Sequence, residues 1–473
     1  MKLDFQPKAR KDITFGRKRN SHSCLCHIYR GQIQFEAPSE LVDAFIDGRV
    51  ALFAGAGISS ESPDVLRETF YETINFILGN KDQSRPFPDV MEDLCKTPGG
   101  RPALIERIQA HFQYIYSHRE IYDRATRFHR QLATFFPIDT IITTNWDTYF
   151  EDECGATAFV GDKDIALWEV ASRKVLKIHG TVANFGSIVA TRTDYRKCAR
   201  RLEKGVLGKF LTSLLAMRPV VFIGYSLRDE DFLQIYNATR KRLAEFHRQA
   251  YFVAPSITDV ERTRLQAMGL RLIETDGEYF VAQLKEHAQS VRCICPDEMY
   301  DDVGELLSIV FDSNTWLRKT FKIKKHPQYL VSAWYLDGLQ HALERILRLR
   351  KTGEYSDLHK LVATARSYYS FAKKFLRDRK FDDAAYSEGY ADGMLFASLR
   401  PEEKLFPPLF FYFGGCRTSS RSVYKRAINK LPARYKRANS FLKGIANKYE
   451  DADMVILHRA QLSLGRYLEE EMD

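Results

Sequence analysis

The sequence lacks an apolar stretch long enough to cross a membrane, and its opening residues, Met-Lys-Leu-Asp-Phe-Gln-Pro-Lys, lack the hydrophobic core of a signal peptide. The longest apolar candidate, residues 405–415, is too short to span a bilayer and contains Pro407-Pro408. These absences argue against a secreted or membrane-embedded protein, and we expect no membrane partner.

Cysteine is scarce, and the eight cysteines show no disulfide pattern of a secreted domain, so we expect a reducing, cytoplasmic location. Two Cys-x-Cys pairs, Cys24 with Cys26 and Cys293 with Cys295, would offer four thiolates to zinc if they met in space. The usual zinc spacing is Cys-x2-Cys, however, and Cys-x-Cys also places two thiols on one face of a strand. We therefore expect no bound metal.

Charge is distributed unevenly along a chain of 473 residues, which is long enough for two or three domains. The first 30 residues carry eight Lys/Arg against two Asp, and residues 316–473 carry 30 basic against 18 acidic residues. The middle of the chain is acidic, although the whole has a net charge of +10. This asymmetry indicates separate modules. A basic end would suit nucleic acid, an acidic partner or a nucleotide signal, and it also suits a face that is merely solvated.

The chain is organised around residues 50–59, which read Val-Ala-Leu-Phe-Ala-Gly-Ala-Gly-Ile-Ser. The apolar run is typical of a strand that is buried on both faces of a parallel sheet. Gly55 and Gly57 would let the backbone approach a ligand, and Ser59 stands where the N-cap of a following helix would offer N–H groups to a phosphate. A lone Gly-x-Gly is equally typical of an ordinary tight turn, and the third glycine of the dinucleotide fingerprint is missing.

From residue 38 onward, helical periodicity alternates with short apolar runs, which predicts an α/β fold with a doubly wound, mostly parallel sheet of the Rossmann type. The predicted helices are 38–47, 63–79, 103–117 and 124–135. The predicted further strands are 138–144, 174–178, 219–223, 251–254 and 270–274. Gly55, Asn145, His179 and Gly224 each follow an apolar run. Since ligands of such sheets bind at the carboxyl ends of the strands, these residues are expected to share one site.

Beyond residue 300 strand alternation disappears and glycine and proline are sparse, so we predict an all-helical region. The predicted domains are a basic N-terminal extension (1–36), a nucleotide-binding catalytic domain (37–298) and a helical C-terminal domain (299–473) with a regulatory or oligomerisation role. Helices are expected near 354–378, 382–397, 419–430, 433–448 and 452–471. The aromatic stretch 406–413 is interpreted as core or a subunit interface.

Four motifs in order carry a resemblance to a known family. They are Gly55-Ala56-Gly57-Ile58-Ser59, Thr143-Thr144-Asn145-Trp146-Asp147, Lys177-Ile178-His179-Gly180 and Val221-Phe222-Ile223-Gly224-Tyr225-Ser226. Together they resemble the sirtuin superfamily, whose members bind NAD, over roughly residues 38–290. The zinc module of deacylating sirtuins is absent, since Cys198 is the only cysteine between His179 and Pro219. The segment after Gly180 looks more like the sirtuin-like NADase effectors of bacterial anti-phage systems.

The resemblance implies cleavage of the bond between nicotinamide and ribose, through a transition state like an oxocarbenium ion. Nicotinamide leaves as a neutral molecule, so the site needs a positioned water or ribose hydroxyl and a base that works near neutral pH. His179 has the side chain for such a base. Asn145 would hold the ribose or the attacking water. The ordinary alternatives are a histidine in a turn and an asparagine that caps a helix.

The same resemblance implies a set of residues that bind NAD, the substrate. They are Ala54, Gly55, Ala56, Gly57, Ser59, Thr144, Asp147, Gly224 and Ser226. The N–H groups of Ala56 and Gly57 would meet the pyrophosphate, and Gly224 with Ser226 would lie against the adenosine half. Asp147 would support the loop or the ribose, although an aspartate at this spacing also commonly begins a helix.

The resulting prediction is an NAD glycohydrolase that depletes NAD in anti-phage defence. Because uncontrolled loss of NAD would harm the host, we expect the helical domain to gate or oligomerise the enzyme. The expected partners are further copies of the chain and an activating protein or nucleotide signal. Two alternatives stay open: an NAD-dependent protein deacylase, and a non-catalytic NAD or nucleotide sensor that binds nucleic acid through its basic ends.

Overall fold

The computed structural model describes residues 12–15, 34–59, 65–80, 82, 84–225, 230–399 and 431–470. The chain divides into two compact units. The first runs from the N-terminus to Val291 and includes Lys351–Glu354, and the second comprises Arg292–Arg350 and Tyr355–Asp473. The predicted boundary at 298/299 thus falls seven residues beyond the end of the first unit's main segment.

The first unit is built on a parallel sheet. Its strands are β3 (Ala51–Ala54), β4 (Thr140–Thr143), β5 (Thr157–Phe159), β6 (Lys174–Lys177), β7 (Val220–Ile223), β8 (Ala250–Ala254) and β9 (Leu270–Glu274). They lie in the order β5-β6-β4-β3-β7-β8-β9, and every neighbouring pair is parallel. Without the edge strand β5, this is the 3-2-1-4-5-6 order of a doubly wound sheet. The predicted fold class is confirmed.

The four central strands are buried at every position, as the apolar runs predicted. Alternate residues such as Phe53 and Phe222 face a core formed with the helices at Arg192–Lys204, Val206–Met217 and Glu230–Leu243. Ile223 points to the other face, where a Cβ added to Gly277, the first residue of another helix, would lie 2.3 Å from its Cγ2 atom. Helices therefore cover both faces, which explains why these strands read as continuous hydrophobic runs.

The helices of this unit have the following bounds. They are α1 (Ser39–Ile46), α2 (Phe70–Ile77), α3 (Phe87–Lys96), α4 (Gly100–Ser117), α5 (Arg119–Ala125), α6 (Arg127–Ala133), α7 (Tyr149–Cys154), α8 (Arg192–Lys204), α9 (Val206–Met217), α10 (Glu230–Leu243), α11 (Asp259–Ala267) and α12 (Gly277–Ser290). Near the N-terminus, β1 (Ile13–Phe15) pairs antiparallel with β2 (Phe35–Ala37).

Two helix boundaries differ from the prediction for local reasons. The predicted helix 63–79 begins only at Phe70, because the Thr69 side chain accepts the backbone N–H of Glu72 and caps the first turn. The predicted helix 124–135 is interrupted at Thr126, whose ψ of 6° leaves the helical range. Helix α3 was not predicted; Pro86 stands at its N-cap and Pro88 in its first turn, where proline is well tolerated.

Arg173 is a buried cation that the sequence did not single out. Its guanidinium donates hydrogen bonds to the carbonyl oxygens of Ala133 (2.8 Å), Phe135 (2.9 Å) and Ile138 (3.0 Å). It also reaches the carbonyls of Cys154 and Lys351. One side chain therefore satisfies the backbone of the turn before β4 and ties it to Lys351–Glu354, the separate segment of this unit.

Substituting Arg173→Met is expected to lower the free energy of unfolding by about 2 kcal/mol, because several buried carbonyl groups lose their donor. Calorimetric unfolding measures the change. Arg49→Met is the matched control, since Arg49 makes an exposed ion pair with Asp47 and should matter by less than about 0.5 kcal/mol. Equal stability of the two variants would contradict the role given to Arg173.

The second unit contains helices and no strand among its described residues, apart from an isolated antiparallel bridge between Ile294 and Asp357, in agreement with the predicted helical region. Its helices are α13 (Glu298–Thr320), α14 (Tyr329–Arg348), α15 (Leu358–Arg377), α16 (Phe381–Ser398), α17 (Asn439–Lys448) and α18 (Ala452–Glu470). Helices α14 and α16 meet backbone to backbone, since a Cβ added to Gly338 would lie 2.0 Å from the carbonyl oxygen of Tyr386. The predicted helix 419–430 and the aromatic stretch 406–413 lie outside the described residues.

Two buried carboxylates inside this second unit are paired. The carboxylate of Asp392 accepts hydrogen bonds from the hydroxyl groups of Tyr335 and Tyr369. Arg434 contacts both carboxylate oxygens of Glu388, at 2.7 and 2.9 Å. These pairs link helices to one another and explain how polar side chains are accommodated in a helical core.

Candidate active site

The sheet register aligns the ends of its four central strands. Ala54 pairs with Thr143 and with Ile223, and Thr143 pairs with Lys177. Because adjacent strands lie only about 4.8 Å apart, the loops that follow them form one row. Asn145 and His179 each stand two residues beyond a paired strand end. The structure thus brings together the strand-end positions that the sequence selected.

The two glycine loops in this row touch each other. The N–H of Gly55 donates to the carbonyl oxygen of Ile223, and that of Gly57 to the carbonyl oxygen of Gly224, both at 2.9 Å. A Cβ added to Gly55 would lie 2.4 Å from the Gly224 oxygen. The glycines are therefore needed for contact between loops. The predicted use of the Gly57 N–H for the pyrophosphate differs from the structure, where Gly224 already accepts it.

The turn after β3 also differs from the predicted helix start. Ala56–Ile58 form a single 3-10 turn, and Ser59 lies at its C-terminal end. The buried Ser59 hydroxyl donates to the carbonyl of Ala56 at 3.2 Å. Ser59 therefore closes this turn, and residues 60–64, which follow it, lie outside the described residues. Ala56 is exposed, and no described residue accepts its N–H.

Thr143 is a residue of this row that the sequence interpretation missed. Its hydroxyl donates to the carbonyl oxygen of Ala54 at 2.8 Å and accepts the backbone N–H of Asn145 at 3.0 Å. It thereby fixes the Asn145 loop relative to the end of β3. The predicted Thr144 is only half-buried, whereas Thr143 is fully buried. A hydroxyl at the last position of a strand with an apolar centre was the available signal.

Asn145 has the most informative side chain of the site. It is 7% exposed, and neither its amide oxygen nor its amide nitrogen has a hydrogen-bond partner in the described part of the chain. Buried amides in folded proteins are almost always hydrogen-bonded. A buried amide without a partner among the described residues, at the carboxyl end of a parallel strand, is suited to a ligand that supplies both a donor and an acceptor.

His179 is 3% exposed, and its ring lies 4.9 Å from that of Tyr195, centroid to centroid. Its carbonyl oxygen accepts the N–H of Val189 at 2.9 Å. A Cβ added to Gly180 would lie 2.1 Å from the carbonyl oxygen of Ser187, so the chain after His179 turns back tightly. Tyr195 stands in the first turn of α8, whose start is capped by Thr191. This aromatic neighbour was not predicted.

Several aromatic side chains cluster around Trp146, the residue after Asn145. The Trp146 ring lies 5.9 Å from that of Phe87 and 6.3 Å from that of Phe70, and Phe70 lies 5.4 Å from His111. Burial lowers the pKa of His111 to about 4, so this imidazole is neutral at neutral pH. The rings of Phe70, Phe87 and Trp146 pack in one hydrophobic core cluster, directly after Asn145 in the chain.

Residues 139–273 match the family model of the SIR2-like domain. This segment is sirtuin-like. It contains Asn145, His179 and Gly224, and it begins after the Gly55 loop. Defense-associated sirtuin 2 of Bacillus subtilis is 22% identical over 328 residues, a match that covers 62% of this chain and 31% of that protein. The chain therefore spans about a third of the relative's length. The predicted resemblance to sirtuins is confirmed.

Asp147, which lies in the matched segment, is buried, and its Oδ1 atom accepts the N–H of Tyr149, the first residue of α7, at 3.2 Å. Burial raises the pKa of its carboxyl group to about 6, against the opposing effect of the Lys177 ammonium. The contact with Tyr149 is a helix-start role, which the sequence had left open beside a role in binding.

Asp147→Asn should stabilise the first unit relative to wild type, and this effect should be larger at neutral than at acidic pH. A carboxyl group whose pKa is raised by folding favours the folded state below its ordinary pKa, and that contribution is lost as the pH rises through about 6. The stability difference between variant and wild type should therefore grow by about 1.5 kcal/mol from roughly pH 5 to pH 7.5. Calorimetry at the two pH values tests this, and an unchanged difference would contradict the raised pKa.

The remaining predictions concern residues outside the described ranges, metal ions and membranes. Ser226, Cys24, Cys26 and Cys416 lie outside the described residues. Within the described ranges, no group of three or more His, Cys, Asp or Glu residues is placed to hold a metal ion. No helix within the same ranges is long and apolar enough to cross a bilayer.

Proposed function

We propose that the chain hydrolyses NAD at the bond between nicotinamide and ribose. The observation that carries this proposal is the buried Asn145 amide, whose two polar atoms lack partners in the described structure, level with His179 on the neighbouring strand end. The SIR2-like match supports NAD as the substrate. A second observation also suits NAD as the ligand. Ala56 is exposed, and no described residue accepts its backbone N–H, which is therefore available to an anionic group.

In the proposed reaction, the oxygen of a water molecule bonds to the anomeric carbon of the nicotinamide ribose. The bond from that carbon to the pyridinium nitrogen breaks, and its electron pair neutralises the ring, so that nicotinamide leaves uncharged. His179 takes the proton that the water loses, and Asn145 orients the water or a ribose hydroxyl. The products are nicotinamide, ADP-ribose and one proton.

We further propose that this activity serves defence and is held in check until a trigger arrives. Support comes from the name of the Bacillus subtilis relative, defense-associated sirtuin 2, and from the helical unit that accompanies the catalytic one. An enzyme that consumes NAD must be restrained in a healthy cell. The helical unit is the proposed place for an activating protein or nucleotide, or for self-association.

Product analysis in ¹⁸O-labelled water tests the reaction. Hydrolysis predicts one labelled oxygen in ADP-ribose and equal amounts of nicotinamide and ADP-ribose. Release that occurs only with an acetylated peptide would instead indicate a deacylase. A rise in melting temperature with NAD, without cleavage in the presence of candidate activators, would indicate a sensor and contradict the proposal.

A further inference from the structure

Lys177 is the most deeply buried cation beside the candidate site. Its side chain is 0% exposed, at the last position of β6, two residues before His179. The ammonium donates to the backbone carbonyl of Asp147 and lies 3.0 Å from a carboxylate oxygen of Glu151. A lysine in this position is costly to bury unless its contacts are specific.

These contacts connect the loop that carries Asn145 with the strand that leads to His179. Asp147 stands two residues after Asn145, and Lys177 stands two residues before His179. The hydrogen bond from Lys177 to the Asp147 carbonyl therefore ties the loop that carries Asn145 to the end of β6, the strand that leads to His179. The N–H of Val182 also donates to the carbonyl of Trp146, at 2.9 Å, but that link is an uncharged backbone contact. A charge-assisted hydrogen bond in a buried setting holds its geometry more firmly.

We propose that Lys177 is a positioning residue, which sets the distance between Asn145 and His179 by anchoring the Asp147 carbonyl. This proposal rests on the proposed function. Glu151 balances the buried charge, and its second carboxylate oxygen has no partner in the described structure. The anchoring contact is made to the backbone, so Glu151 is needed for stability and not for the placement of the loop.

Two variants distinguish an effect of Lys177 on the placement of the Asn145 loop from an effect on the stability of the fold. Lys177→Met removes the ammonium and keeps an apolar side chain of similar length, but it leaves Glu151 without its cation. The double variant Lys177→Met/Glu151→Gln removes both charges and should recover much of the lost stability. If Lys177 positions the loop, the double variant still lacks the contact with Asp147. We expect kcat to fall about 100-fold in both variants. KM should stay within about threefold.

Hydrogen exchange of the protein without NAD supplies a readout that does not depend on turnover. Amides of residues 143–150 should exchange faster in both variants, while those of β7 keep their wild-type rates. Wild-type kcat in the double variant, or unchanged exchange at residues 143–150, would overturn the proposal. A wild-type protein that releases no nicotinamide would count against the proposed function, and the exchange result would still decide whether Lys177 holds the loop.

Discussion

Gly55→Ala is expected to destabilise the first unit by about 3 kcal/mol or more and to abolish NAD cleavage. The added Cβ would lie 2.4 Å from the carbonyl oxygen of Gly224 and 2.6 Å from the Cα atom of Tyr225. Both atoms belong to the backbone, so no flexible side chain can move aside. Gly55 itself has an extended backbone, with φ of −105°, and the requirement for glycine is therefore one of space.

Gly304→Ala is the matched control for this substitution. Gly304 lies inside α13, and a Cβ there meets no atom within 4 Å. Alanine at this position should stabilise its helix by about 0.5–1 kcal/mol. Calorimetric unfolding of both variants gives the comparison, and nicotinamide release gives the activity. A Gly55→Ala protein with wild-type stability and activity would show that the two glycine loops do not meet as described.

Asn145→Ala is expected to abolish cleavage at little cost in stability. The amide makes no hydrogen bond with the described protein, so its removal takes away no protein–protein bond and relieves a buried unsatisfied group. We expect the free energy of unfolding to change by less than about 1 kcal/mol. Loss of an oriented amide should lower kcat by about 10²–10³-fold. This combination distinguishes a ligand-binding amide from a structural one, whose loss would destabilise the fold.

His179→Ala should lower kcat by about 10²–10⁴-fold, because the attacking water loses its base. His118 offers a matched histidine, since it is exposed at the end of α4 and its ring bonds only the local carbonyl of Tyr114. His118→Ala is expected to keep the wild-type rate. Equal loss in both variants would indicate a general effect on the protein, and no loss in either would remove His179 from the mechanism.

The strand ends could be predicted from the sequence, because the change from an apolar run to Gly, Asn or His is a local feature of the sequence. A buried parallel strand must be apolar, and its carboxyl end must change composition where the loop begins. Gly55, Asn145, His179 and Gly224 were found in this way. The parallel register then follows from the fold class, which the alternation of helices and strands had indicated.

The residues that hold those strand ends together were not predictable, because their partners are distant in sequence. Thr143 bonds Ala54, which lies 89 positions away, and Lys177 bonds Asp147, which lies 30 positions away. No local feature of the sequence identifies the partner in either contact. The contact of the Gly57 N–H with the carbonyl oxygen of Gly224 was not predicted for the same reason. A glycine that admits a ligand and a glycine that admits a second loop leave the same pattern in the sequence.

The most direct test of the account is the rate of nicotinamide release from NAD, measured for wild type and Asn145→Ala at equal concentrations of folded protein. The account predicts release by the wild type and a rate at least about 100-fold lower for the variant, with nearly unchanged melting temperature. Release that survives Asn145→Ala would contradict it, because the buried, unpaired amide would then have no part in the reaction.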